Sequence, residues 1–193
     1  MKKNSLLIAC LFVSSLTGCA AVVVGAAVAG AAGTTAVVAT DPRTSGAVID
    51  DNTIQTKLKL KYASYPNANI YVNSYNGNVL LTGQIPDART KESAEFQAKA
   101  TPGVKQIYDY LAIRLPQSLF AASTDSYTTA QVRTKIFKIK AVEGNSVKVV
   151  TTDDVVYLQG IVTPEQATLV TNAAASTGGV KKVITLFDYI TAK

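Results

Sequence analysis

The chain of 193 residues has no histidine and no tryptophan, one methionine and only two cysteines. Histidine is the commonest general base and the commonest metal ligand, so its absence removes the usual machinery of both roles. No nucleotide-binding glycine loop and no Ser-Lys signature takes its place. Catalysis would have to rest on carboxylates, and the two conspicuous pairs have structural readings. Asp50-Asp51 reads as a helix start and Asp153-Asp154 as a hairpin corner. A non-enzymatic protein is expected, with no catalytic residue, no metal site and no cofactor.

The two cysteines also have simple destinations. Lys2 and Lys3 precede the apolar run "LLIACLFVSS", which is too short to span a bilayer, and "LTGC" follows at Leu16 to Cys19. This order resembles a bacterial lipoprotein signal peptide, which implies removal of residues 1–18 and lipidation of Cys19, palmitate included. Cys10 then leaves with the signal peptide, so the mature chain has neither disulfide nor free thiol. Ala20, rather than Asp, follows the lipidated position, which by the same resemblance permits transfer to the outer membrane, facing the periplasm. Losing Lys2 and Lys3 takes Lys+Arg from 19 to 17 against 13 Asp+Glu, a net charge of +4. That mild surplus suits an anionic surface, and secretion argues against nucleic acid as a partner.

Ala20 to Thr40 carries no charge and consists largely of Ala, Gly and Val, with no Leu, Ile or Phe. Ala and Gly contribute little transfer free energy, and glycines weaken a helix. The segment 19–45 is therefore read as a tether rather than a membrane span. As a flexible coil it would reach roughly 30 Å.

The rest of the chain repeats itself at an offset near 77 residues. "VLLTGQI" at Val79 to Ile85 answers "VYLQGIV" at Val156 to Val162, and "PGVKQIYDYLAI" answers "GGVKKVITLFDYI". Each copy reads as helix, strand, strand, helix, strand, with the first helices around Asp51–Lys61 and Thr128–Val142. Asn76-Gly77 is the preferred type I′ corner of a hairpin, and Asp153-Asp154 holds the matching place. Thr163-Pro164-Glu165-Gln166 opens a helix with a capping box and proline at its first position. The last strand returns through a helix, so one strand pair should be parallel. The expected boundaries are 46–114 and 125–193, joined by a linker at 115–124.

An αββαβ module with "G.V.L.G" before its second helix and "GV..V" opening its last strand resembles the BON domain. With the lipobox and the tether, the chain resembles the dual-BON outer-membrane lipoproteins. The resemblance implies an α+β fold, two tandem domains each with a small mixed sheet packed by two helices. It further implies recognition of anionic phospholipid through the first helix of the second domain. Roles in envelope stress and at the cell-division site go with it. The alternative is an adaptor for outer-membrane assembly machinery or peptidoglycan-remodelling factors, using the tyrosine-rich strands "IYVNSY" and "IYDYL".

The helix in question is "TAQVRTKIFKIKAV". At 100° per residue, Val132, Ile136 and Ile139 share an inward stripe that Glu143 would continue. Phe137 points outward with Ala130, Thr134 and Ala141, Tyr127 lies near the edge, and Arg133 and Lys138 form the rims. Aromatic rings sit well at headgroup depth, and basic side chains attract anionic lipid. The resemblance implies Tyr127, Val132, Arg133 and Phe137 as the contact positions. Matching "TKLKLKY" at Thr56–Tyr62 to "TKIFKIK" at Thr134–Lys140 sets Phe137 against Lys59, as if only the second copy were built for lipid. The competing reading packs Phe137 on the first domain or beneath Leu119-Phe120.

Overall fold

Thr44 begins the first helix, its hydroxyl accepting from the Ala47 N–H at 3.1 Å, and α1 runs Ser45–Tyr62. The computed structural model describes residues 41–116, 118–143 and 145–191. The expected signal peptide, Cys19 and the tether up to residue 40 lie outside the described residues. After α1 come β1 (Asn69–Tyr75), β2 (Asn78–Ile85), α2 (Ala88–Lys99) and β3 (Gln106–Ile113). The second copy follows as α3 (Leu119–Phe137), β4 (Val147–Thr152), β5 (Val155–Val162), α4 (Pro164–Ala175) and β6 (Lys182–Tyr189). The α+β class and the αββαβ order of both copies are as read from the sequence.

Each sheet is mixed. β1 pairs antiparallel with β2, and β2 parallel with β3; β4, β5 and β6 repeat the arrangement. Both hairpin corners use the left-handed region, at φ 54° and 79° for Asn76-Gly77 and 57° and 61° for Asp153-Asp154. The capping box at Thr163 and Gln166 is present.

Helix boundaries differ from expectation. The caps are Thr44 and Ser118, single hydroxyls lying several residues before Asp51 and Asp125. Most of the supposed linker 115–124 is therefore the start of α3. Asp51 and Asp125 are interior residues of their helices, buried, with carboxylates turned to the hairpin corners. Asp51 accepts from the N–H groups of Asn76 and Gly77 at 2.7 and 2.8 Å, and Asp125 from those of Asp153 and Asp154 at 2.9 and 3.0 Å. The C-terminal end is also corrected. α3 stops at Phe137, with Lys138 as its cap, so Glu143 does not continue the inward stripe.

This clasp fixes how the copies correspond. The buried residues of α1 are Asp51, Ile54, Leu58 and Tyr62, and those of α3 are Asp125, Thr128, Val132 and Ile136. Each pair is 74 positions apart (125 − 51 = 74, 136 − 62 = 74), whereas β2 and β5 start 77 apart (155 − 78 = 77). The phrase match of Thr56 to Thr134 has an offset of 78 and is therefore slipped by four residues, one helical turn. Phe137 corresponds to Ala63, and Lys59 corresponds to Arg133.

One face of each sheet packs on its own helices. Val72, Val79, Leu81 and Ile85 meet Ile54, Leu58 and Tyr62 in the first core, and Val149, Val156, Leu158 and Val162 meet Val132 and Ile136 in the second. The opposite faces meet each other, since Leu80, Tyr157 and Leu186 form a third buried cluster. β2 is consequently buried at every residue. This seam is partly polar. Thr152 and Thr82 bond through their hydroxyls at 3.0 Å, Gln159 Nε2 donates to the Asn78 carbonyl at 3.0 Å, and the Tyr75 hydroxyl donates to the Ser146 carbonyl at 3.0 Å. Tyr110 and Tyr157 meet as tilted rings with centroids 5.0 Å apart.

Candidate functional site

The outer face of α3 carries more exposed apolar surface than its role in packing requires. Leu119, Phe120, Tyr127 and Phe137 are 89, 83, 67 and 78% exposed. Phe137 thus packs neither on the first domain nor beneath Leu119-Phe120. At 100° per residue, Leu119, Ala130 and Phe137 form one row, and Phe120, Tyr127 and Lys138 a second, about 100° round the helix. Nineteen residues of helix extend this double row over roughly 28 Å.

The polar residues between and beside the rows add little free hydrogen-bonding capacity. Thr134 donates its hydroxyl to the Ala130 carbonyl at 2.8 Å, Ser123 to that of Leu119 at 3.0 Å, and Ser126 to that of Ala122 at 2.9 Å. A hydroxyl bonded back to its own helix no longer needs a partner from outside. The face is thereby suited to a medium poorer in water than bulk solvent.

Of the residues read from the sequence, Tyr127, Ala130, Arg133, Thr134, Phe137 and Lys138 are exposed on α3 or at its cap, and Ala141 is exposed in the turn beyond it. Val132 is fully buried in the second core and holds the helix to its sheet. Leu119 and Phe120 were missed because their segment reads as linker; extending the helical period one more stretch toward the N-terminus would have caught them.

Arg133 leaves the apolar rows on the side that faces α1. There a cleft of about 380 Å³ opens between the two helices, lined among others by Asp41, Arg43, Gln55, Arg133 and Lys148. Arg43 is held by Asp41 and Asp51 at 2.7 and 2.8 Å. The Lys148 ammonium donates to Gln55 Oε1 at 3.0 Å and to the Ser74 carbonyl at 3.4 Å. Burial, followed by repulsion from Arg43, brings its pKa down to about 8.

That shift has a measurable sign. Between about pH 8 and the ordinary lysine value of 10.5, the unfolded chain holds a Lys148 proton that the folded chain has released. Stability from this group rises with pH through that window. Above pH 10 the buried tyrosines act oppositely, because burial raises Tyr75 and Tyr157 above their ordinary value of 10.0. Denaturant titrations from pH 7.5 to 9.5 should show rising stability in the wild type and a flatter profile in Lys148→Met.

Comparison with known proteins agrees with the architecture. The BON domain model matches residues 50–114 and 124–191. The chain is 39% identical over 179 residues to outer membrane lipoprotein DolP of Haemophilus influenzae, covering 91% of this chain and 90% of that one. It is 32% identical to a 21 kDa hemolysin of Actinobacillus pleuropneumoniae, covering 78% of this chain and 79% of the relative. It is 31% identical to osmotically-inducible protein Y of Escherichia coli, covering 72% of each chain. Two matched modules, their shared helix-to-hairpin clasp and a relative alike over nine-tenths of both lengths agree: the chain belongs to the BON domain family, as a tandem member of the DolP type.

Proposed function

We propose that the protein is a non-enzymatic outer-membrane lipoprotein, anchored through Cys19 on the periplasmic face, that binds anionic phospholipid through the outer face of α3. In that position it supports outer-membrane integrity and envelope remodelling at the division site. The observation that carries the reading is the double row of exposed apolar side chains with internally bonded hydroxyls, rimmed by Arg133 and Lys138. Tyr127 and Phe137 would lie at headgroup depth, where aromatic rings are favoured. Each basic rim residue near an anionic surface contributes about 1 kcal/mol. Among the described residues no helix is long and apolar enough to cross a membrane. The outer-membrane location also draws on the relative named outer membrane lipoprotein DolP.

An adaptor for outer-membrane assembly or peptidoglycan factors has less support. Of the tyrosines that would serve it, Tyr75 is buried, Tyr108 is half-buried and Tyr110 leans on Tyr157, and no continuous exposed patch comparable to that of α3 joins them to Tyr71.

The test uses residues 41–193, which contain both cores and retain the Arg43 clamp; starting at Ser45 would remove that clamp and the Thr44 cap. Co-sedimentation with phosphatidylglycerol vesicles is compared with phosphatidylcholine controls. Phe137→Glu should weaken binding at least tenfold, which corresponds to about 1.4 kcal/mol. Ala63→Glu, at the matching position that caps α1, should leave it unchanged. Equal loss in both variants would reduce the interaction to general charge attraction, and no binding by the folded wild type would sink the lipid reading.

A further inference from the structure

The cleft between α1 and α3 holds positive charge that the protein itself does not neutralise. Its lining carries three cations, Arg43, Arg133 and Lys148, and one carboxylate, Asp41. Asp41 is taken by Arg43, whose remaining nitrogen bonds Asp51. Among the described residues Arg133 and Lys148 form no ion pair. Lys148 is set among neutral acceptors, Gln55 Oε1 and the Ser74 carbonyl, which occupy two of its three ammonium protons. We infer that this cleft seats a phosphate-bearing anion, with Lys148 on its floor and Arg133 at its mouth.

Charge, geometry, neutral donors and cleft size together favour a phosphate. The half-buried Lys148 ammonium is attracted by Asp51 but touches no carboxylate, and an anion that enters the cleft would offset its desolvation. Burial and then repulsion from Arg43 lower the Lys148 pKa despite the attraction of Asp51, and an anion beside it would act in the opposite direction. Arg133 offers a planar fork able to take two phosphate oxygens at once, beside a lysine acting as a point charge. The side-chain amides of Asn52 and Asn73 on the lining add neutral donors of the kind that hold an ester oxygen or a hydroxyl. A cleft of about 380 Å³ falls within the range of small-ligand sites.

The anion could come from a lipid headgroup or from a soluble phosphate. Arg133 joins the cleft to the apolar rows of α3, so a lipid whose acyl chains lay along those rows would carry its phosphate toward Lys148. That lipid source rests on the proposed membrane role, whereas the anion site itself does not.

The experiment is a calorimetric titration of the full chain in nonionic detergent micelles. One arm uses inorganic phosphate, and the other uses glycerophosphoglycerol, a headgroup without acyl chains. At least one should bind. Lys148→Met should weaken binding at least tenfold and Arg133→Gln at least fivefold, the latter at an exposed position where folding is not in question. Lys181→Met, which removes a surface cation paired with Asp154, should leave it unchanged. Tighter binding of glycerophosphoglycerol would assign the headgroup, and tighter binding of inorganic phosphate a soluble ligand. Absence of binding in both arms overturns the site, as does equal weakening by Lys181→Met. Vesicle binding without an anion titration would sink the cleft alone, and the reverse result the membrane reading alone.

Discussion

Asp51→Ala should destabilise the protein by about 4 kcal/mol, the scale of breaking a buried charge cluster by removing one partner. Four donors converge on this carboxylate. Oδ1 accepts from the Ser74 hydroxyl at 2.6 Å and the Gly77 N–H at 2.8 Å. Oδ2 accepts from the Asn76 N–H at 2.7 Å and from Arg43 Nη1 at 2.8 Å. Removing the carboxylate strands two backbone donors and a hydroxyl in a region water does not reach, and each stranded donor costs about 1–3 kcal/mol. Arg43 would keep Asp41 and its place over the Tyr75 ring, 4.0 Å from the centroid, so the loss is not total. Asp51→Asn retains one acceptor oxygen and should lose about half as much. Urea unfolding of the three proteins at pH 7 decides the matter. An alanine variant within 1 kcal/mol of wild type would mean the clasp is not what holds helix to hairpin.

Gly83→Ala should be comparably damaging, about 4 kcal/mol, for reasons of space and backbone conformation together. Gly83 has φ 117°, where an L side chain is strained. A Cβ there would also overlap the Asn69 carbonyl, the acceptor at the start of the neighbouring strand. The partner is backbone, so neither rotamer change nor a flexible side chain can make room. Gly160 occupies the equivalent place in the second copy, where a Cβ would stand 2.5 Å from the Ser146 carbonyl. Its φ is not in the left-handed region, so Gly160→Ala should be the milder of the two. Thermal unfolding of both variants tests the order; because the Cβ overlap is also closer at Gly83 than at Gly160, a reversal would contradict both causes. The glycine that ends each "LTG" or "LQG" phrase is thus required by a carbonyl that crosses close above it.

Much of this architecture was legible in the residues. The turn pairs Asn76-Gly77 and Asp153-Asp154 announce the hairpins because few residues accept φ above zero. Thr163 and Gln166 announce α4 because a capping box needs just those two side chains. The starts of α1 and α3 were less legible, since Thr44 and Ser118 are single hydroxyls in stretches already rich in polar residues. The slip of Phe137 against Lys59 has a different cause. Four residues are nearly one turn, so a match displaced by four preserves the inward stripe and looks correct. Only the Asp51 and Asp125 contacts distinguish the two alignments, and these are made to a distant hairpin. The segment between first helix and first strand absorbs the difference, six residues at 63–68 and nine at 138–146. The burial of Thr82, Gln84 and Gln159 was not legible, because sequence alternation cannot tell water from a second sheet with polar positions of its own.

That second sheet has a consequence for how the duplication is kept. Equivalent seam positions no longer carry equivalent residues, with Leu80 matching Tyr157 and Thr82 matching Gln159 (both 77 apart). A short side chain on one surface has its long counterpart on the other. Each half has therefore become the template for its sibling and a poor template for another copy of itself. Two first halves set face to face would leave gaps where Tyr157 belongs, and two second halves would collide there. A gene that began as two interchangeable copies has in this way become indivisible, since neither copy can substitute for the other.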